Sequence, residues 1–120
     1  MVFTKKLCYT DSKGTFEPIN KEDIPMQLTV RQPSASEDAK HYTTERLRGE
    51  YLIETVFAPD DAILTYSHFD RIIAGGVMPV SKSVELVGCK ELASDTFLQR
   101  REMGVINIGG KGKIAVDGVE

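Results

Sequence analysis

The sequence predicts a single, mainly β domain with one or two short helices ahead of its strands. At 120 residues the chain has the length of one domain, since domains commonly run about 100–150 residues. An apolar fraction of 41% with ten glycines is close to that of an ordinary globular domain. Helix-start patterns lie in residues 34–51, and from residue 53 onward β-branched and aromatic runs alternate with turn residues.

Two short helices are predicted before the strands. Residues 34–37 (SASE) fit a capping box, in which the serine oxygen and the glutamate satisfy free N–H groups of the first turn. This pattern predicts a helix through Tyr42. Thr43 or Thr44 can then cap a second helix over residues 45–51.

The remainder reads as strands separated by turns. The stretch 71–80 is apolar on both faces but contains Gly75, Gly76 and Pro79, which predicts a bent or bulged strand. The glycine-rich loop 109–112 predicts a hairpin between its two flanking runs. The predicted strands lie at residues 53–57, 63–66, 71–80, 81–87, 104–108 and 113–116.

Asp117-Gly118 predicts a tight turn that sends the chain back. Both central positions of a type I′ turn need positive φ, which this pair tolerates. The strand at residues 113–116 is therefore expected to be an exposed edge awaiting a partner, with part of the sheet uncovered.

Two regions differ in composition. Residues 1–25 are polar, with charges of both signs and with Gly14, Pro18 and Pro25 as breakers, which predicts an unassigned arm or short hairpin on the surface. Residues 26–120 are predicted to form the domain itself. We expect this domain to be incomplete, because the Asp117-Gly118 turn predicts a further strand.

Charge and hydropathy exclude several classes of protein. The net charge of −3 gives the chain no electrostatic reason to bind nucleic acid. Residues 1–10 lack the apolar core of a signal peptide, and the longest mainly apolar stretch, 72–80, is shorter than the roughly 20 residues of a membrane helix. Cys8 and Cys89 lack any paired spacing and indicate two reduced thiols. We therefore expect a soluble, cytoplasmic protein with no membrane partner.

Few residues are suited to metal or acid–base chemistry. A catalytic zinc site needs three protein ligands, and the only histidines, His41 and His68, lie far apart. No metal ligand or catalytic residue is therefore predicted in the chain. Alternation in an extended segment would place His68 and Asp70 on one face. They could form an acid/base pair or equally a surface hydrogen bond.

A charged group at Arg100-Arg101-Glu102 lies beside an apolar run. Guanidinium groups suit carboxylate or phosphate ligands, whereas ion pairing within or between subunits is an equally good interpretation. The glycines match turns and bulges better than phosphate-binding loops. Candidate substrate-binding residues, for anion contact or for supporting the assembled sheet, are His68, Asp70, Arg71, Arg100, Arg101 and Glu102.

The stretch from Glu102 to Gly109, followed by Gly112 and by residues 116–118, resembles the second half of the first cupin motif. That motif ends in a glycine turn between two strands of a jelly-roll barrel. The two histidines that cupins place before the glutamate are missing, since residues 95–98 are Asp, Thr, Phe and Leu. This half of a cupin would not hold the metal.

Longer strings narrow the resemblance to one family. Residues 64–79 (LTYSHFDRIIAGGVMP) and 97–110 (FLQRREMGVINIGG) resemble the amino-terminal part of the 5-keto-4-deoxyuronate isomerases, also called 4-deoxy-L-threo-5-hexosulose-uronate ketol-isomerases. Residues 42–48 (YTTERLR) with 51–54 (YLIE) resemble the family's opening helix. The likeness runs over residues 30–120.

The resemblance implies a cytoplasmic homohexamer built from a bicupin, of which this chain is a partial amino-terminal barrel. It implies an isomerase of pectin and uronate breakdown that converts 5-dehydro-4-deoxy-D-glucuronate into 3-deoxy-D-glycero-2,5-hexodiulosonate. The family's zinc is held by three histidines and a glutamate of the carboxy-terminal cupin, which this resemblance places beyond residue 120. We expect the chain alone to be an inactive, truncated part. The alternative is a non-catalytic cupin-like module for oligomerisation or sugar-acid binding.

Overall fold

The computed structural model describes residues 7–10 and 26–119. They form six strands and two short α-helices, so the prediction of a mainly β chain with two helices is confirmed. The strands are β1 (Leu7–Thr10), β2 (Met26–Arg31), β3 (Ala62–Ser67), β4 (Ile72–Val77), β5 (Val84–Leu86) and β6 (Lys113–Val116); the helices are α1 (Ser36–Ala39) and α2 (Thr44–Tyr51).

The strands are divided between two three-stranded sheets. One has the order β2-β3-β4, with β2 parallel and β4 antiparallel to β3. The other has the order β5-β1-β6 and is antiparallel throughout. The two sheets share one core, because side chains of β3 and of β5 belong to the same buried cluster. That cluster consists of Ala62, Leu64, Tyr66, Val84, Leu86, Leu92 and Phe97.

β1 lies within residues 1–25, the predicted arm or short hairpin. Residues 7–10 form the central strand of their sheet, paired with β5 on one side and with β6 on the other. The sequence missed this strand because its pairing partners lie more than seventy residues away in the chain, whereas the charge pattern around it is that of a solvent-facing segment. The other residues of the predicted arm lie outside the described part of the chain.

The predicted hairpin between residues 104–108 and 113–116 is wrong. Residues 101–112 contain no strand. β6 pairs with β1 instead, from Leu7 opposite Val116 to Thr10 opposite Lys113. β propensity marks a segment that fits a strand but does not choose its partner.

The stretch 53–57 is also not a strand. Phe57 packs against the backbone of Gly76 on β4, where a β-carbon would overlap the Phe57 ring. The segment therefore lies across a sheet rather than pairing within one. The same contact explains why residue 76 is a glycine. The predicted bend or bulge is not present, because each residue of β4 pairs one to one with a residue of β3.

β5 is enclosed more fully than its sequence predicts. Val84 and Leu86 are buried as expected, but the intervening Glu85 is buried as well. A strand buried on both faces loses the alternation that a half-exposed strand would show.

The helices agree with the sequence only in part. α2 begins as predicted, with the Thr43 hydroxyl accepting a hydrogen bond from the Arg46 N–H at 3.3 Å. α1 is a single turn whose N-cap is Ala35 without a side-chain bond, so the predicted capping box is wrong. The Glu37 carboxylate instead accepts from Lys40 Nζ at 2.7 and 2.8 Å.

The Asp117-Gly118 turn is confirmed. Asp117 has φ 54° and Gly118 has φ 79°, both in the left-handed region. Val116 and Val119 exchange N–H···O bonds of 2.9 and 3.0 Å across it. Val119 is therefore directed back along β6.

Asp60 fixes the connection between β4 and β5. The N–H groups of Val80 and Ser81 each donate to Asp60 Oδ1 at 2.7 Å, the Lys82 N–H donates at 3.2 Å, and the Ser81 hydroxyl donates to Oδ2 at 2.5 Å. The Ser81 hydroxyl and then these backbone N–H groups hold the pKa of Asp60 well below its usual range.

The substitution Gly75→Ala should destabilise the fold. Its β-carbon would overlap the Ile63 carbonyl oxygen on the neighbouring strand, and overpacking of this kind costs about 1–3 kcal/mol. Gly104→Ala is the control, because nothing lies within 4 Å of a β-carbon there. Urea unfolding should show a lower free energy of unfolding for Gly75→Ala and an unchanged one for Gly104→Ala. Equal stability of the two variants would contradict the assigned β3–β4 contact.

The substitution Asp60→Asn should remove a pH-dependent part of the stability. A carboxyl with a depressed pKa stabilises the folded state above its unfolded pKa of about 3.9, and this contribution is lost as pH falls below that value. The difference in unfolding free energy between the parent and Asp60→Asn should be constant at neutral pH and shrink below about pH 4. Asp70→Asn, in an exposed turn, controls for loss of a surface charge. A difference independent of pH would refute the hydrogen-bonded role of Asp60.

Candidate functional site

A groove of about 1000 Å³ opens between the two sheets. We call it the intersheet groove. Its floor is apolar, formed by side chains that the sheets and the following loop bury in the core. Residues 101–112 line one side, and β4 lines another. The floor consists of Leu64, Val84, Leu86 and Phe97.

Three of the six predicted site residues line this groove, namely Arg71, Arg101 and Glu102. Arg71 lies at the end of the β3–β4 turn with φ 54°. Arg101 and Glu102 begin the segment 101–112. The structure thus brings together charged side chains thirty positions apart in sequence, and their role in binding substrate stays a prediction.

The other three candidates lie outside the lining of the groove. Asp70 and Arg100 are exposed, and His68 is half-buried at the end of β3. The extended segment expected to align His68 with Asp70 is not formed, because β3 ends at Ser67 and residues 68–71 are a turn. The alternation argument therefore fails for this pair.

His68 and Arg101 both contact Tyr66, which the sequence analysis did not select as a site residue. The Tyr66 ring is buried in the core, and the His68 ring lies 4.4 Å from it, centroid to centroid. Arg101 Cζ lies 5.2 Å from the same Tyr66 ring, within cation–π range. Tyr66 therefore orients both candidates. The sequence gives no separate indication of its role, because Tyr66 lies in the predicted strand 63–66 like any other core residue.

The described residues offer little for metal or nucleophilic chemistry. Among residues 7–10 and 26–119, no three His, Cys, Asp or Glu side chains are grouped so as to hold a metal ion. His41 lies in a separate cleft of about 340 Å³ with Asp38, Tyr42 and Arg46. Burial raises the pKa of the Cys89 thiol, which disfavours the reactive thiolate. Cys89 is a free thiol, and the side chain of Cys8 lies outside the described atoms.

The arrangement is suited to binding rather than to proton transfer. Among the described residues, the groove lining carries the basic side chains of Arg71, Arg101 and Lys111 and one acidic side chain, that of Glu102. Guanidinium groups stay protonated at neutral pH and act as donors only. The groove can therefore hold an apolar body that carries a negative charge.

No α-helix in the described part of the chain combines the length and the apolar character needed to cross a membrane. No protein-family model matches the chain.

Comparison with curated proteins gives close relatives. The chain is 50% identical over 91 residues to the 4-deoxy-L-threo-5-hexosulose-uronate ketol-isomerase of Lachnoclostridium phytofermentans, covering 76% of this chain and 33% of the relative. It is 52% identical over 91 residues to ketol-isomerase 2 of Enterococcus faecalis, with the same coverage. It is 55% identical over 94 residues to the Yersinia pestis (strain Pestoides F) enzyme, covering 76% of this chain and 34% of the relative.

The chain spans about a third of the length of the curated relatives that it matches. The identity extends over three quarters of the chain, far more than the two long strings that first indicated the family. The resemblance is confirmed, and the chain is related to the amino-terminal portion of the 4-deoxy-L-threo-5-hexosulose-uronate ketol-isomerases.

Proposed function

We propose that this chain is the amino-terminal, cupin-like part of a 5-dehydro-4-deoxy-D-glucuronate ketol-isomerase of pectin and uronate breakdown. The observation that carries the proposal is the 50–55% identity to proteins named 4-deoxy-L-threo-5-hexosulose-uronate ketol-isomerase. Two three-stranded sheets, one mixed and one antiparallel, enclose one core, and this arrangement supports a partial barrel. The proposal includes the cytoplasm as its compartment and a homohexamer as the assembled form.

The reaction sets chemical demands that the described residues do not meet. An aldose–ketose interconversion moves a proton between adjacent carbons, so it needs a base and an electrophile that stabilises the enediolate. In the described part of the chain, no group of His, Cys, Asp and Glu fits the zinc that the family resemblance implies. The proposal therefore assigns catalysis to the part of the relatives that this chain does not match, and assigns structure and binding to this part.

The isolated chain should not isomerise the uronate, even with zinc added. The described residues place no metal-ligand group and no acid–base pair at the intersheet groove. A coupled assay of product formation checks this, with the full-length Lachnoclostridium phytofermentans relative as positive control. Turnover by the chain at a rate comparable to that of the control would refute the assignment of catalysis to the part of the relatives that this chain does not match.

The substitution Arg101→Ala should lower stability rather than impair substrate binding. It removes the guanidinium from the buried Tyr66 ring, a contact worth about 1–2 kcal/mol when partly desolvated. Arg100→Ala, next in sequence and exposed, should change stability by less than about 0.5 kcal/mol. Urea unfolding of both variants of this chain gives the comparison.

The equivalent substitution in a full-length relative decides the role of Arg101 in catalysis. We expect kcat and KM to change little, because the contact of Arg101 is with the core. An increase of about tenfold or more in KM, at unchanged kcat, would instead assign Arg101 to the substrate carboxylate, as the sequence-based hypothesis allows.

A non-catalytic sugar-acid-binding module is the second candidate. The excess of Arg71, Arg101 and Lys111 over Glu102 in the groove lining favours it. A metal-free chain that forms oligomers and binds galacturonate without turnover would support this module over the ketol-isomerase part.

A further inference from the structure

A cleft of about 340 Å³ lies at the junction of the two helices. We call it the helix-junction cleft. Among the described residues, its lining consists of Asp38, His41, Tyr42 and Arg46, and none of these lines the intersheet groove. Its volume is at the lower end of the range for small-molecule sites. The cleft is therefore a candidate site separate from the one described above.

Hydrogen bonds of the backbone hold these four residues on one side of the junction. The His41 N–H donates to the Asp38 carbonyl at 3.0 Å, so the two residues lie one turn apart. The Thr43 hydroxyl accepts from the Arg46 N–H at 3.3 Å and begins α2 there. Tyr42 and Arg46 are four positions apart, a spacing at which side chains on a helix are neighbours. The lining is therefore preformed by local helical geometry.

Tyr42 fixes the orientation of the Arg46 guanidinium group. Arg46 Cζ lies 3.8 Å from the centre of the Tyr42 ring, within cation–π range. Arg46 Nε lies 3.9 Å from Glu50 Oε1, which is too far for a hydrogen bond. The N–H groups of Arg46 are therefore available to a ligand, and their planar fork matches the two oxygens of a carboxylate.

Asp38 and His41 supply polar groups of a different kind. Within residues 7–10 and 26–119, neither side chain makes a hydrogen bond or an ion pair. An ionised carboxylate accepts hydrogen bonds, and a neutral imidazole both donates and accepts them. Hydroxyl groups also donate and accept, so these two side chains are suited to a hydroxylated ligand.

The mixture of charges excludes two simpler ligands. A small anion without hydroxyl groups would meet the Arg46 guanidinium but would be repelled by the Asp38 carboxylate. A zinc ion needs three protein ligands, whereas the cleft offers only Asp38 and His41. A ligand that combines one carboxylate with several hydroxyl groups complements all of the polar side chains.

We infer that the helix-junction cleft binds a sugar acid, with its carboxylate on Arg46 and its hydroxyl groups on Asp38 and His41. The inference rests on the proposed function, which makes a uronate the sugar acid to test. It assigns the chain a second sugar-acid site outside the intersheet groove. Because these three residues are exposed, we expect weak binding, with a dissociation constant of about 1 mM.

Residue-resolved NMR of the whole 120-residue chain tests the inference, with galacturonate as the probe. The amide resonances of residues 38–46 should shift on titration and reach saturation. Galactose, which has the hydroxyl groups but no carboxylate, should bind at least about tenfold more weakly. Acetate, which has the carboxylate but no hydroxyl groups, should also bind at least about tenfold more weakly.

The substitution Arg46→Gln should weaken galacturonate binding at least about tenfold, because it removes the charged fork that contacts the carboxylate. Arg48→Gln is the matched control. The side chains of Arg46 and Arg48 are 58% and 59% exposed and lie on the same helix, but Arg48 pairs with Glu54 outside the cleft. The control should bind as the parent chain does, and circular dichroism checks that both variants are folded.

Four outcomes would overturn the inference. The resonances of residues 38–46 fail to shift; shifts occur only in residues that line the intersheet groove; acetate or galactose binds as tightly as galacturonate; or Arg46→Gln and Arg48→Gln weaken binding equally. Because this binding requires no turnover, a negative result leaves the ketol-isomerase assignment intact. Failure of that assignment in the assay of product formation leaves the binding result intact.

Discussion

The rest of the structure depends on one layer of apolar packing between the sheets. Leu64 and Tyr66 on β3 belong to the same buried cluster as Val84 and Leu86 on β5. Without this layer the two three-stranded sheets would not pack together, and each would expose its apolar face to water. Burial of such side chains is worth about 1.5–3 kcal/mol each, which exceeds what the surface ion pairs of α1 and α2 can contribute.

The same layer positions the groove and its charges. The Tyr66 ring belongs to the core, and it contacts both the Arg101 guanidinium group and the His68 ring. The candidate site is therefore an extension of the core to the surface rather than an independent loop structure. Relatives that share half of these residues are enzymes, yet the chain matches only a third of their length.

Local features could be predicted from the sequence, and pairing between distant segments could not. The β-branched run at β3 and the Asp117-Gly118 turn depend on neighbouring residues only, and both were predicted. β1 is four residues in a charged context, stabilised by partners far along the chain, so no local pattern indicated it. In the candidate site, charge identified Arg71 and Arg101, whereas Tyr66 resembled any core residue of a strand.

The position of β1 has a consequence for how the chain acquires its structure during synthesis. The central strand of the β5-β1-β6 sheet is synthesised before its partners at Val84–Leu86 and Lys113–Val116, which lie more than seventy residues further along the chain. Closing loops of that length costs conformational entropy before any pairing compensates for it. Contacts so distant in sequence form slowly, and an early strand with unpaired edges is exposed to other chains in the interval. The parallel and antiparallel pairs of β2, β3 and β4 span less of the chain and can form first, so that sheet can serve as the template on which the second is assembled.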